Sequence, residues 1–97
     1  VSDERRYIVA YDIADQRRWR RVFKTMQGYG EWLQLSVFQC RLSAVRRAEL
    51  EERLRALIMA GEDHVLLIDV GPADRPKPAV ASLGKTFAAI EKRAVVI

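Results

Sequence analysis

The chain opens with a compact apolar run. Tyr7-Ile8-Val9-Ala10-Tyr11 is rich in β-formers and ends on the carboxylate of Asp12, which predicts a first strand over Arg6 to Asp12. Asp15 is a suitable N-cap for a helix that stops at Gly28, with Gly30 reinforcing the stop. Turning this segment at about 100° per residue puts Trp19, Val22, Phe23 and Met26 on one side and Arg17, Arg20, Arg21 and Lys24 on the other. Trp19 and Phe23 therefore read as core rather than as base-stacking platforms, and the basic side points to solvent or a partner.

From Trp32 to Leu42 apolar and polar residues alternate over part of the length, as in a half-buried strand. The segment is one long strand or two short ones bent near Ser36, and no Gly, Pro, Asn or Asp marks a bend. A second helix is expected from the cap Ser43 through Leu50, Leu54, Leu57 and Ile58 to a stop at Gly61, with Glu49/Arg53 and Glu51/Arg55 at ion-pair spacing. It reads as structural. His64 to Val70 contains Val65-Leu66-Leu67-Ile68, a nearly continuous apolar run that predicts a central, well-covered strand ending at Gly71-Pro72.

Residues 71–78 are turn-rich and read as an exposed connector, followed by a short edge strand over Val80 to Gly84 and a terminal β-prone run, Ala94 to Ile97. Such a run would be an unpaired edge if left bare, so it pairs within its own sheet or is exchanged with a second copy. The order of elements predicts a single α+β domain over residues 1–97, a ferredoxin-like sandwich of βαββαβ type with an extra C-terminal strand.

Composition narrows the setting. Ninety-seven residues at 49% hydrophobic content suffice for one core and not for two. Cys40 is the single cysteine, which excludes an intramolecular disulfide, argues against zinc and fits a reducing, cytoplasmic environment. No apolar stretch approaches the ~20 residues of a membrane span, and the amino end is charged, so neither secretion nor a membrane is expected. The net charge of +4 is modest, but Arg17, Arg18, Arg20, Arg21 and Lys24 fall in a window from Gln16 to Gly30 that holds no acid. Concentrated there, the charge suits a polyanion.

The candidate chemistry centres on Asp12, a carboxylate held at a strand end where a metal ligand would be rigid. Asp15 is needed by the helix start, and no histidine lies near in sequence to act as a base. Ser36 could bond a phosphate or Asp12, or be satisfied by backbone; Phe38 suits core or dimer packing. His64 reads as a surface residue and Asp69 as an arginine partner. Tyr7 and Tyr11 alternate with Ile8 and Ala10, placing them on one face for packing or for a partner.

The succession of Tyr11-Asp12-Ile13, Arg17-Arg18 and Lys24, Gly28-Tyr29-Gly30, and Gln34-Leu35-Ser36-Val37-Phe38 resembles the CRISPR-associated protein 2 family, the small core protein of CRISPR adaptation. The likeness runs from Tyr7 to about Ile68 and includes Leu83-Gly84 and the terminal apolar run. One departure stands out: Gln39 follows Ser-Val-Phe where the family commonly has Glu.

The resemblance implies a homodimer in which two copies of Asp12 face each other and share a magnesium ion. It also implies metal-dependent endonuclease activity on single-stranded RNA or double-stranded DNA. A further implication is a bridging role between dimers of the CRISPR-associated protein 1 integrase during spacer insertion. Two readings remain open. In one, Asp12 supports phosphodiester hydrolysis; in the other, the protein is a non-catalytic clamp whose Arg17, Arg18, Arg20, Arg21 and Lys24 hold DNA. A toxin-type messenger-RNA endonuclease is a further use of related folds, whereas the acid-free basic helix argues against a small-molecule regulatory domain.

Overall fold

In the computed structural model, which describes residues 3–84, the elements are β1 (Arg5–Asp12), α1 (Gln16–Gln27), β2 (Gly30–Gln34), β3 (Val37–Leu42), α2 (Ala44–Leu57) and β4 (His64–Pro72). The strands form one antiparallel sheet in the order β2-β3-β1-β4, the ferredoxin-like arrangement. Alternation along β1 sends Tyr7, Val9 and Tyr11 into the core, where Val22, Phe23 and Met26 of α1 and Leu50 and Leu54 of α2 meet them. Ile8 and Ala10 point to the opposite face and are half-buried.

Both helices start on side-chain caps. The Asp15 carboxylate accepts the Arg18 N–H at 3.0 Å, and the Ser43 hydroxyl accepts the Arg46 N–H at 3.1 Å. The second helix ends at Leu57, short of the expected stop at Gly61. Local competition explains the difference: the Asp63 carboxylate takes the Met59 N–H at 2.8 Å, and the N–H groups of Glu62 and Asp63 turn back onto the Met59 carbonyl. Glu51 and Arg55 pair at 3.6 Å. Glu49 instead pairs with Arg46 at 2.9 Å and accepts a hydrogen bond from the Tyr29 hydroxyl, while Arg53 lies over the Tyr29 ring.

The segment from Trp32 to Leu42 is two strands joined by a tight turn at Leu35-Ser36. Leu35 has φ +38°, a conformation β-hairpins usually assign to Gly or Asn; because Leu occupies it here, no ordinary turn residue marks the bend. Gly30, at the head of β2, has a plain steric role: a Cβ there would collide with the Gln39 carbonyl and the Cys40 sulfur on β3.

The expectation of a well-covered fourth strand is overturned, since Leu66 and Ile68 are 46% and 47% exposed. Among the described residues β4 pairs only with β1 and stands at the edge of their sheet. Val65 and Leu67 do pack against the core, but both helices lie on that face, so the opposite apolar row of Leu66, Ile68 and Val70 is left half-exposed. A register shift between Arg6 and Tyr7 marks a bulge near Val70 on β4. Residues 80–84 form no strand, contrary to expectation, and the terminal run 94–97 lies outside the described residues.

After β4 the chain is tethered back to the sheet. The Ala73 N–H donates to the Glu4 carbonyl at 3.0 Å, Arg6 Nη2 donates to the Ala73 carbonyl at 3.1 Å, and Lys77 Nζ lies 2.7 Å from Glu31.

Candidate metal and nucleic-acid site

Asp12 closes β1 with its side chain exposed and without a hydrogen-bond or ion-pair partner among the described residues. Its neighbour across the β1–β4 ladder is His64. Cross-strand pairs of this kind stand side by side on one face of a sheet, so the carboxylate and the imidazole share the face that no helix covers. Sequence separation hides this pairing. Ala10 and Val37, and Ile8 and Ile68, are opposed on the same face, giving Asp12 an apolar flank.

The loop leaving Asp12 is held from below. The Ala14 N–H donates to Asp63 Oδ1 at 2.9 Å, Arg18 Nε donates to Asp63 Oδ2 at 2.9 Å, and Arg18 Nη2 reaches Glu62 at 2.9 Å. These bonds, the Arg18 guanidinium foremost, bring the buried Asp63 carboxyl down to about 2. Arg18 is thereby occupied, with only 17% of its side chain exposed. Arg17, Arg20, Arg21 and Lys24 differ: all four are exposed and have no carboxylate partner among the described residues. Together they form a basic ridge along α1, on the helix side of the sheet, whose first member follows Asp12 by five residues in the chain.

Ser36 is engaged on two sides. Its hydroxyl accepts the Trp19 indole N–H at 2.7 Å, and its carbonyl accepts the Tyr11 N–H at 3.1 Å, so it ties the end of β1 to α1. Phe38 is fully buried, its ring against Tyr11 and Phe23 at centroid distances of 6.3 and 5.4 Å. Gln39 is buried opposite Ile8, and its Oε1 has no partner among the described residues. An amide withstands that burial at lower cost than a carboxylate would. Burial pushes the Cys40 thiol up to about 12, leaving it inert, and raises the Tyr11 phenol as well. Asp69 is paired with Arg5 at 2.7 Å.

A magnesium ion takes hard oxygen ligands, keeps several waters and is commonly held by one or two carboxylates plus phosphate. No three His, Cys, Asp or Glu side chains converge as a metal cluster among the described residues. One copy of the chain thus offers Asp12 as a lone carboxylate, a fit that needs oxygens from substrate or from a second copy.

A four-stranded antiparallel sheet with two helices on one face, and an exposed strand-end carboxylate followed in the chain by a basic helix, define a small ferredoxin-like α+β protein suited to a polyanion. The family model for CRISPR associated protein Cas2 matches residues 5–77, and the chain belongs to that family. It is 55% identical to the CRISPR-associated endoribonuclease Cas2 of Geobacter sulfurreducens, covering 97% of this chain and 99% of that one. It is 56% identical to CRISPR-associated endoribonuclease Cas2 1 of Rhodospirillum rubrum, over 97% and 92%. Among solved structures, a hypothetical protein TT1823 from Thermus thermophilus superposes with TM-score 0.73 at 33% identity, covering 88% of this chain and 99% of that one. A crystal structure of cas2 gives 0.68 at 32% identity, over 81% and 88%.

Proposed function

We propose that this protein is a homodimeric, nucleic-acid-binding member of the CRISPR adaptation machinery whose Asp12 pair supports magnesium-dependent cleavage of phosphodiester bonds. The observation that carries this reading is Asp12, exposed and without a hydrogen-bond or ion-pair partner among the described residues, on the helix-free face of the sheet, with the α1 basic ridge following it in the chain. The endoribonuclease names of its relatives favour RNA as the strand that is cut.

In this reading Arg17, Arg20, Arg21 and Lys24 bind successive phosphates and fix the strand, with little regard to base sequence. The open face, with Leu66 and Ile68, packs against its counterpart so that Asp12 of each copy approaches the twofold axis. Asp12 is the residue that would hold magnesium, which when bound withdraws charge from the phosphoryl group and acidifies a coordinated water. His64, standing beside Asp12, can donate a ring N–H to a phosphate oxygen. Arg18 acts indirectly, by keeping the loop after Asp12 fixed through Asp63.

A second reading, a scaffold that holds DNA for the CRISPR-associated protein 1 integrase without cutting, draws support from the sparse donor set of one carboxylate per copy.

The deciding experiment is cleavage of labelled single-stranded RNA and double-stranded DNA with magnesium, with chelator, and with Asp12→Ala. Metal-dependent cleavage that disappears in the variant is the expected result. Absence of cleavage, or cleavage unchanged by the substitution, overturns the catalytic reading and leaves binding to duplex DNA and the integrase as the function.

A further inference from the structure

The basic ridge of α1 does not stop with α1. At its carboxyl end Lys24 borders a cleft of about 360 Å³ between the two helices, lined also by Tyr29, Arg46 and Arg53. Tyr29 is buried to 8% exposure, and its ring supports two guanidinium groups, Arg46 at 4.3 Å and Arg53 at 5.8 Å from the centroid. The carboxylate at this place, Glu49, is hydrogen-bonded by the Tyr29 hydroxyl and by Arg46, and it attracts Arg53 through space without a direct ion pair.

Arg53 is unlike the other arginines of α2. Arg46 pairs with Glu49, Arg47 with Glu51, and Arg55 with Glu51 and Glu52. Arg53 sits one turn beyond Glu49, at ideal spacing for the same kind of pair, yet it makes no direct ion pair among the described residues and rests on the ring instead. An exposed guanidinium held over an aromatic face keeps its donors free while its position is fixed, which suits a planar fork for a phosphate. Lys24 supplies a second cation without an ion-pair partner, on the opposite wall.

We propose that this cleft is a phosphate-binding subsite, with Arg53 and Lys24 as its ligands, that takes a backbone phosphate of the strand lying along α1. The inference rests on the nucleic-acid reading above and extends it: the binding surface runs off α1 onto α2, a helix whose sequence suggests only structure. Tyr29 is too buried to stack on a base, so the subsite adds affinity without base preference.

The test is fluorescence anisotropy of a labelled single-stranded RNA across a series of KCl concentrations, using the full chain and the variants Arg53→Gln, Arg20→Gln and Arg55→Gln. Removing one cation that neutralises a phosphate of a single strand reduces the slope of log K against log salt by about 0.7. Arg53→Gln and Arg20→Gln are each expected to reduce the slope by that amount, and Arg55→Gln, which removes the same charge from a paired position, leaves it unchanged. Arg53→Gln behaving like Arg55→Gln while Arg20→Gln still lowers the slope overturns the subsite and spares the α1 ridge. Absence of RNA binding by the unsubstituted protein overturns both. Circular dichroism of each variant distinguishes weakened phosphate binding from an unfolded chain.

Discussion

Arg18 and Asp63, 45 residues apart, are joined at two points, Nε to Oδ2 at 2.9 Å and Nη2 to Oδ1 at 3.3 Å. The same carboxylate caps the Ala14 and Met59 N–H groups, so one buried acid joins the start of α1, the end of α2 and the loop that follows Asp12. The pair is therefore a clamp on the candidate site, and Arg18 is withdrawn from the basic ridge it neighbours in sequence.

The clamp carries a pH signature. Asp63 is held at about 2 in the fold against an ordinary value of 3.8, so its stabilising contribution is complete above 3.8 and is lost as pH falls towards 2. Thermal unfolding followed across that window should steepen in the unsubstituted protein. Asp63→Asn should lower the midpoint at neutral pH and flatten its acid dependence; an unchanged acid limb would show that other carboxylates control it.

Gly30→Ala forces a methyl group into the Gln39 carbonyl and the Cys40 sulfur. Backbone on one side leaves little room to yield, and a cost of roughly 1–3 kcal/mol is expected from overpacking of this kind. Urea unfolding of the variant measures it, and a loss below ~0.5 kcal/mol would mean that β2 shifts freely.

Ser36→Ala separates two roles for this hydroxyl. As the acceptor for the Trp19 indole it is structural, and its removal should cost about 1 kcal/mol by chemical denaturation while leaving the salt dependence of RNA binding intact. A smaller salt slope with unchanged stability would instead identify a phosphate ligand.

Ile68→Glu tests the open sheet face. Ile68 is 47% exposed, so the substitution should change the stability of a single copy by no more than ~0.5 kcal/mol. In the proposed dimer a charge on that face would oppose its counterpart across the twofold, so sedimentation velocity should show the unsubstituted chain as a dimer and the variant as a single copy. Persistence of an intact dimer would place the interface elsewhere.

The legibility of the molecule follows the range of the forces involved. Strand β1, the Asp15 and Ser43 caps and the division of α1 into apolar and basic sides are all readable, because each depends on neighbours within about one helical turn. The end of α2 is not, because Asp63 captures backbone N–H groups that the helix pattern would have continued. The bend at Leu35 gives no signal because its positive φ is imposed by the pairing of β2 with β3, not by its own preference.

By itself, then, the sequence determined the positions of β1, α1, α2 and β4, the family likeness, the strand-end carboxylate and the acid-free basic run, all properties of contiguous residues. Tertiary structure decided the rest: that among the described residues apolar β4 is an edge with one half-exposed face, that Asp12 is paired in register with His64, that Arg18 is occupied and that Arg53 lies over a ring. Each of these depends on which distant side chains the sheet register and helix packing bring within a few ångströms. A one-dimensional pattern encodes which faces are apolar or charged, but their partners exist only once the chain has closed on itself.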